Sequence, residues 1–177
     1  QLASTLNRSL ADLGALLHLV DPTLTIGGFN HSNGLETFVQ QSVVLTKASL
    51  EEYVQTQLLQ NWIYNDGAYL SLAFDAMAEN DFERLCELEH SLSATKIARE
   101  SREGSFKLGV RLLKIFIRYQ QHPMLSQFQQ AILNKEVQGY FPIVFAMVAQ
   151  AMGLTKPDTL YAFYYNAAVG SITNGVK

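Results

Sequence analysis

An all-α fold, a single bundle of about eight helices across residues 1–177, is what this sequence predicts, and three observations carry the prediction. Apolar residues recur at spacings of three and four rather than two, the period of amphipathic helices. Only 4 prolines (Pro22, Pro123, Pro142 and Pro157) interrupt the 177 residues. Pairs of Phe, Tyr and Leu at helical spacing supply a bundle core, and no internal repeat of fixed period divides the chain. Composition agrees: the chain is 48% hydrophobic and only 16% charged, against about 25% charged in typical soluble proteins. Disorder is excluded for most of the length. A chain of this size buries about 70% of its unfolded surface and needs no staples.

The elements follow in order. Leu6, Leu10, Leu13, Leu17 and Val20 form one face of a first helix, which stops at Asp21 because Pro22 disfavours helical backbone in the residue before it. A loop over 22–33 follows. Ser32 or Asn33 caps a second helix that passes through Phe38, Val39 and Val43 to about Lys47. Ser49 and Glu52 have the spacing of a capping box, opening a helix through Leu58, Trp62 and Ile63. Asp66-Gly67 breaks or kinks it, and helix resumes over 69–78. Asn80 or Asp81 caps a short acidic helix to about His90, and Ser93 caps a long one reaching Arg118. Inside that helix Gly104 and Gly109 each cost about 1 kcal/mol relative to Ala, so they mark a kink or a close helix contact. His122-Pro123 ends it. Three more helices are expected over 124–135, 142–152 and 158–172, with Pro142 tolerated in a first turn and Thr155 and Asp158 spaced as a second capping box.

Several function classes are disfavoured. The net charge of −3 gives no global positive field for nucleic acid or an anionic membrane. The longest apolar stretches, such as 143–149, fall well short of the roughly 20 residues of a spanning helix. Cys86 stands alone, so no intramolecular disulfide or thiolate zinc site is expected, and an intracellular, cytoplasmic setting is the simplest reading. Gly27 and Gly28 match neither phosphate-cradling nor dinucleotide-binding patterns, so no intrinsic NTPase is expected. Glu87 and His90 form one Glu-x-x-His, where a di-iron bundle needs two. A solvated helix face is the favoured account of them; a metal-dependent enzyme using Glu87, His90 and His31 is the alternative.

Charge is unevenly spread. Acids crowd 79–89, whereas Lys107, Arg111, Lys114 and Arg118 recur at i, i+4, i+7 and i+11 along one helix face. That stripe is either solvated surface or the docking surface of an adaptor for an acidic partner. Lys96 with Glu100, and Arg99 with Glu103, have the spacing of helix ion pairs.

The loop carries a recognisable pattern. LLHLVDPTLTIGGFNHSNGLE, residues 16–36, resembles the N-terminal signature of the UreF family of urease accessory proteins, matching at Asp21, Leu24, Gly27 or Gly28, Phe29, Ser32, Gly34, Leu35 and Glu36, with Thr25 where the family often has proline. Later segments agree in order: 94–109 with its Glu100 and Arg102, the aromatic-proline-apolar run at 139–154, and the last helix over 160–177.

The resemblance implies an all-α, non-enzymatic maturation factor with no cofactor or resident metal of its own. It would form a homodimer, bind a UreD/UreH-type scaffold protein and the GTPase UreG, and take part in loading nickel into apo-urease. Gly27, Gly28, Phe29, Ser32, Gly34, Leu35, Glu36, Glu100 and Arg102 are then the candidate partner-binding residues. Two departures qualify it. The family usually continues beyond the last helix into a tail used for scaffold binding, and Tyr140 stands near a position where many members carry histidine.

Overall fold

The helix at the centre of the molecule, α8 (Phe141–Ala151), has the uncharged sequence FPIVFAMVAQA, and every residue over 142–149 is buried. A helix apolar on all sides has no face to give to water, so other helices must surround it. In the computed structural model, which describes residues 10–21, 24, 35–96 and 98–175, α4 (Asp66–Ala78) and α6 (Arg99–Phe116) make its most extensive packings. They contribute Leu70, Ala73, Ala76 and Met77 from α4 and Leu112, Leu113 and Phe116 from α6. α9 (Lys156–Gly175) closes another side, where the Phe163 ring lies 5.8 Å from Phe141 and 5.5 Å from Phe145.

Around this centre lie α1 (Leu10–Val20), α2 (Leu35–Gln40), α3 (Lys47–Thr56), α5 (Phe82–Thr95) and α7 (Pro123–Leu133). The described residues thus form nine α-helices, one of only six residues, and no strand. α1 leans on α9, its Leu16 and Leu19 buried, and the Asn166 amide donates to the Leu19 carbonyl at 3.1 Å. α3 runs into a π-helical segment, Gln57–Trp62, that buries Trp62.

Four boundaries differ from the sequence expectation, each for a local reason. α2 ends at Gln40, not near Lys47, because Ser42 turns into the left-handed region (φ 59°) and the Val43 N–H reaches back to the Phe38 carbonyl at 2.9 Å. The capping box uses Thr46 and Ser49, not Ser49 and Glu52. Thr46 Oγ1 accepts from the Ser49 N–H at 3.1 Å while Ser49 Oγ accepts from the Thr46 N–H at 2.9 Å. α5 does not stop at His90 but runs to Thr95, and Ser93 caps nothing; its Oγ instead accepts from the Tyr140 hydroxyl at 3.1 Å. α6 follows an extended Ala98 and ends at Phe116 rather than Arg118.

The break expected at Asp66-Gly67 falls instead at 63–65, and Asp66 and Gly67 are the first residues of α4; the other signals behave as expected. Asp81 caps α5 by accepting the Arg84 N–H at 2.9 Å. Pro123 and Pro142 occupy first turns, where a missing N–H costs no helical bond. Thr155 Oγ1 accepts from the Asp158 N–H at 3.3 Å at the start of α9.

Candidate partner interface

The candidate residues fall into two groups. Gly27, Gly28, Phe29, Ser32 and Gly34, with His31, lie outside the described residues. Leu35 and Glu36 open α2, which packs on α9; their side chains are likewise outside the described set. Glu100 and Arg102 stand on α6, whose first turn follows the extended Ala98. Glu100 is exposed, and Arg102, half-buried, donates from Nη1 to the Lys96 carbonyl at 3.3 Å. Arg102 therefore ties the start of α6 back to Lys96 at the end of α5.

The ion pairs expected here divide. Arg99 and Glu103 pair at 2.7 Å, one turn apart on the α6 surface. Lys96 does not pair with Glu100, because it precedes the helix; its Nζ meets Asp66 Oδ1 at 2.8 Å, joining the end of α5 to the start of α4. The pair is mostly shielded from water, with side-chain exposures of 13% and 24%.

The outer faces carry large apolar side chains in register. On α1, Leu10, Leu13 and Leu17 recur at i, i+3 and i+7 and are all exposed. On α9, Tyr161, Tyr165 and Ile172 do so at i, i+4 and i+11, with the two tyrosine rings stacked 6.2 Å apart. Phe38, Val39, Val43 and Leu45 add exposed apolar surface at and after α2. Lys107, Arg111, Lys114 and Arg118 all face solvent, as the periodicity predicts.

The most constrained polar group is one that sequence reasoning passed over as part of an acidic surface. Glu89 is only 1% exposed. Its carboxylate accepts three successive backbone N–H groups: Oε2 from Gln138 at 3.1 Å and Gly139 at 3.0 Å, and Oε1 from Tyr140 at 2.7 Å. Gly139 makes this arc possible with φ +83°. Gly109 of α6 presses against the same arc, since a Cβ there would run into the Gly139 carbonyl and lie 2.9 Å from the Phe141 nitrogen. Burial, the dominant influence, pushes the Glu89 carboxyl above its usual value, while the N–H groups of Tyr140, Gly139 and Gln138, and then His90, pull it down.

The Glu87 and His90 pair is not assembled into a metal site. Glu87 is held by Arg84 at 2.7 Å, and the His90 Nε2–H donates to the Glu136 carbonyl at 2.9 Å. Among the described residues no cluster of three His, Cys, Asp or Glu side chains is placed to hold a metal ion. The Cys86 thiol is pushed up by burial and by Glu136, Glu89 and Glu83, which keeps it in its protonated, less reactive form.

Among the described residues the body is helical without strands, its buried carboxylate serves its own backbone, and its outer faces carry apolar and cationic stripes. The UreF family model matches residues 44–177. The chain is 84% identical over 176 residues to the urease accessory protein UreF of Haemophilus influenzae strain PittEE, covering 99% of this chain and 75% of that protein. It is 79% identical over 168 residues to the UreF of Actinobacillus pleuropneumoniae serotype 5b, covering 95% and 74%. It is 31% identical over 163 residues to the UreF of Bacillus sp. strain TB-90, covering 92% and 72%. The chain belongs to the UreF family.

Proposed function

We propose that this chain is a urease maturation factor. It acts as one UreF-like helical domain that binds a UreD/UreH-type scaffold and the GTPase UreG and modulates GTP-dependent delivery of nickel to apo-urease. Nickel is cargo in this reading, and the chain contributes contact surface, not catalysis. The observation that carries the reading is 84% identity across 99% of the chain to a relative named urease accessory protein. The exposed stripes on α1, α6 and α9 support it, because a protein that works by assembly needs such faces. So does the internal use of Glu87, Glu89 and His90, which leaves these groups to structural work.

Within this reading Gly27, Gly28, Phe29, Ser32, Gly34, Leu35 and Glu36 form the main partner surface. Glu100, exposed in the first turn of α6, supplies a second. The test is activation of apo-urease in a reconstituted assembly containing scaffold, GTPase, nickel and GTP. Glu36→Ala is expected to lower activation at least fivefold while its melting temperature stays within about 2 °C of the parent, as for a surface change of under 0.5 kcal/mol. Full activation by a folded Glu36→Ala chain overturns the loop assignment. Failure of the parent chain to bind scaffold or GTPase overturns the function itself.

A further inference from the structure

Along α6 the cationic stripe borders an apolar trough. One shallow hollow of about 210 Å³ is floored by Phe106 and Val110 and edged by Lys107, Arg111 and Lys114. A second, of about 100 Å³, opens where Val110 and Leu113 of α6 face Ile132 and Leu133 of α7. The two share Val110 and Lys114, so they form one depression along the α6–α7 seam. Leu133, at its α7 edge, is 69% exposed despite being a large aliphatic residue.

The charges beside the trough are incompletely answered within the chain. Lys107 shares Glu103, at 3.4 Å, with Arg99. Lys114 and Arg118 reach no carboxylate at ion-pair distance among the described residues. In a chain of net charge −3, this stripe is a local reversal of sign. On α6 it runs from Lys107 to Lys114, about 10 Å or two turns of helix, and Arg118 continues it in the turn just beyond the helix end at Phe116.

We infer that the α6–α7 trough is a docking site for an acidic amphipathic helix of a partner protein. The apolar floor takes the partner's aliphatic stripe, and its Asp and Glu side chains, repeating at three and four, meet Lys107, Arg111, Lys114 and Arg118. This is helix-in-groove recognition, with apolar anchors for affinity and charge for register and encounter rate. The same cations fit nucleic acid less well, because the floor between them is largely aliphatic and offers no series of aromatic faces for base stacking. The inference rests on the partner-binding reading of this chain but not on which proteins are the partners.

The test places a photo-crosslinking amino acid at Leu133 in the chain, co-expressed with the urease subunits and accessory proteins of the same operon, and sequences the captured peptide. The captured segment is expected to carry at least three acids at helical spacing beside an apolar stripe. Lys107→Glu/Lys114→Glu/Arg118→Glu is expected to cut capture at least tenfold, and reversing the captured segment's acids to Lys is expected to restore it. Should the triple variant unfold by circular dichroism, Lys114→Ala/Arg118→Ala replaces it, because neither side chain holds an ion pair among the described residues. No captured protein at Leu133, a segment without the acidic pattern, capture indifferent to charge reversal, or preferential capture of RNA or lipid each overturns the inference. An acidic segment from a protein outside urease maturation sustains the trough and weakens the proposed function. Normal apo-urease activation by the charge-reversed chain with nothing captured at Leu133 does the opposite.

Discussion

Glu89 shows how one side chain can organise a junction between distant elements. Its acceptors satisfy three N–H groups that would otherwise be stranded under α8, some fifty residues away in sequence. Glu89→Ala leaves those donors buried and unpaired, and the expected loss is about 3 kcal/mol, read from urea denaturation. Glu89→Gln keeps one acceptor oxygen and is expected to lose less. The pH dependence has a definite sign. Because the folded-state carboxyl sits above its usual value near 4.5, the folded chain holds a proton that the unfolded chain releases. The contribution of Glu89 to stability is therefore fully present below about pH 4.5 and is lost as pH rises through the raised value. Subtracting the pH profile of Glu89→Gln from that of the parent isolates this fall; a difference that grows more favourable with rising pH contradicts the assignment.

Between elements, α6 makes a close backbone approach to the 137–140 segment and the start of α8. The Gly109 Cα position leaves no room for a methyl group, and the atoms in the way are backbone, which cannot swing aside as a side-chain tip could. Gly109→Ala is expected to cost about 2–3 kcal/mol as α6 retreats and the Phe141 N–H to Ser105 Oγ contact at 3.3 Å opens, observable as a lowered melting temperature. Thr46→Ala, which removes one side of the α3 capping box, is expected to cost about 1 kcal/mol. Its effect belongs chiefly to α3, and hydrogen exchange of the α3 amides should rise more than that of the α8 amides. These two sites also mark the limit of sequence reading. Gly109 was legible as a close contact because a glycine inside a helix demands a reason, although its neighbour proved to be a loop and not a helix. The capping box was misplaced by three residues because Ser49-Glu52 fits the usual Ser/Thr-x-x-Glu/Gln pattern, whereas at Thr46-Ser49 a serine hydroxyl takes the place of the Glu or Gln and the backbone at Thr46 is extended. Helices begun by Asp81, Pro123 and Pro142 were legible because their start signals are local. Glu89 was not, because its partners are backbone groups from a segment with no side-chain signature beyond Gly139. Gly27, Phe29, Ser32 and Glu36 were reached through resemblance to a family pattern and not through spacing or periodicity.

At the scale of the whole molecule, the low charge fraction of 16% is accounted for by two different surfaces. Inside, α8 buries every residue over 142–149. Outside, α1 and α9, packed on one another, show leucine and tyrosine stripes of a kind that isolated soluble domains seldom expose together. A second copy of the chain is the proposed occupant of this apolar surface, consistent with the homodimer the family resemblance implies. Tyrosines at the centre of such contacts commonly contribute 2 kcal/mol or more each. Tyr161→Ser/Tyr165→Ser, at positions 65% and 47% exposed, should therefore raise the dimer dissociation constant at least tenfold with little change in folding stability. Leu13→Ser/Leu17→Ser tests the α1 half independently, since those side chains are 41% and 58% exposed and contribute little to the core. Sedimentation equilibrium separates the outcomes. A parent chain that stays monomeric at high micromolar concentration removes the second copy as the occupant of both stripes. A parent dimer weakened by the tyrosine pair and untouched by the leucine pair places the interface on α9 and leaves the α1 face to another protein.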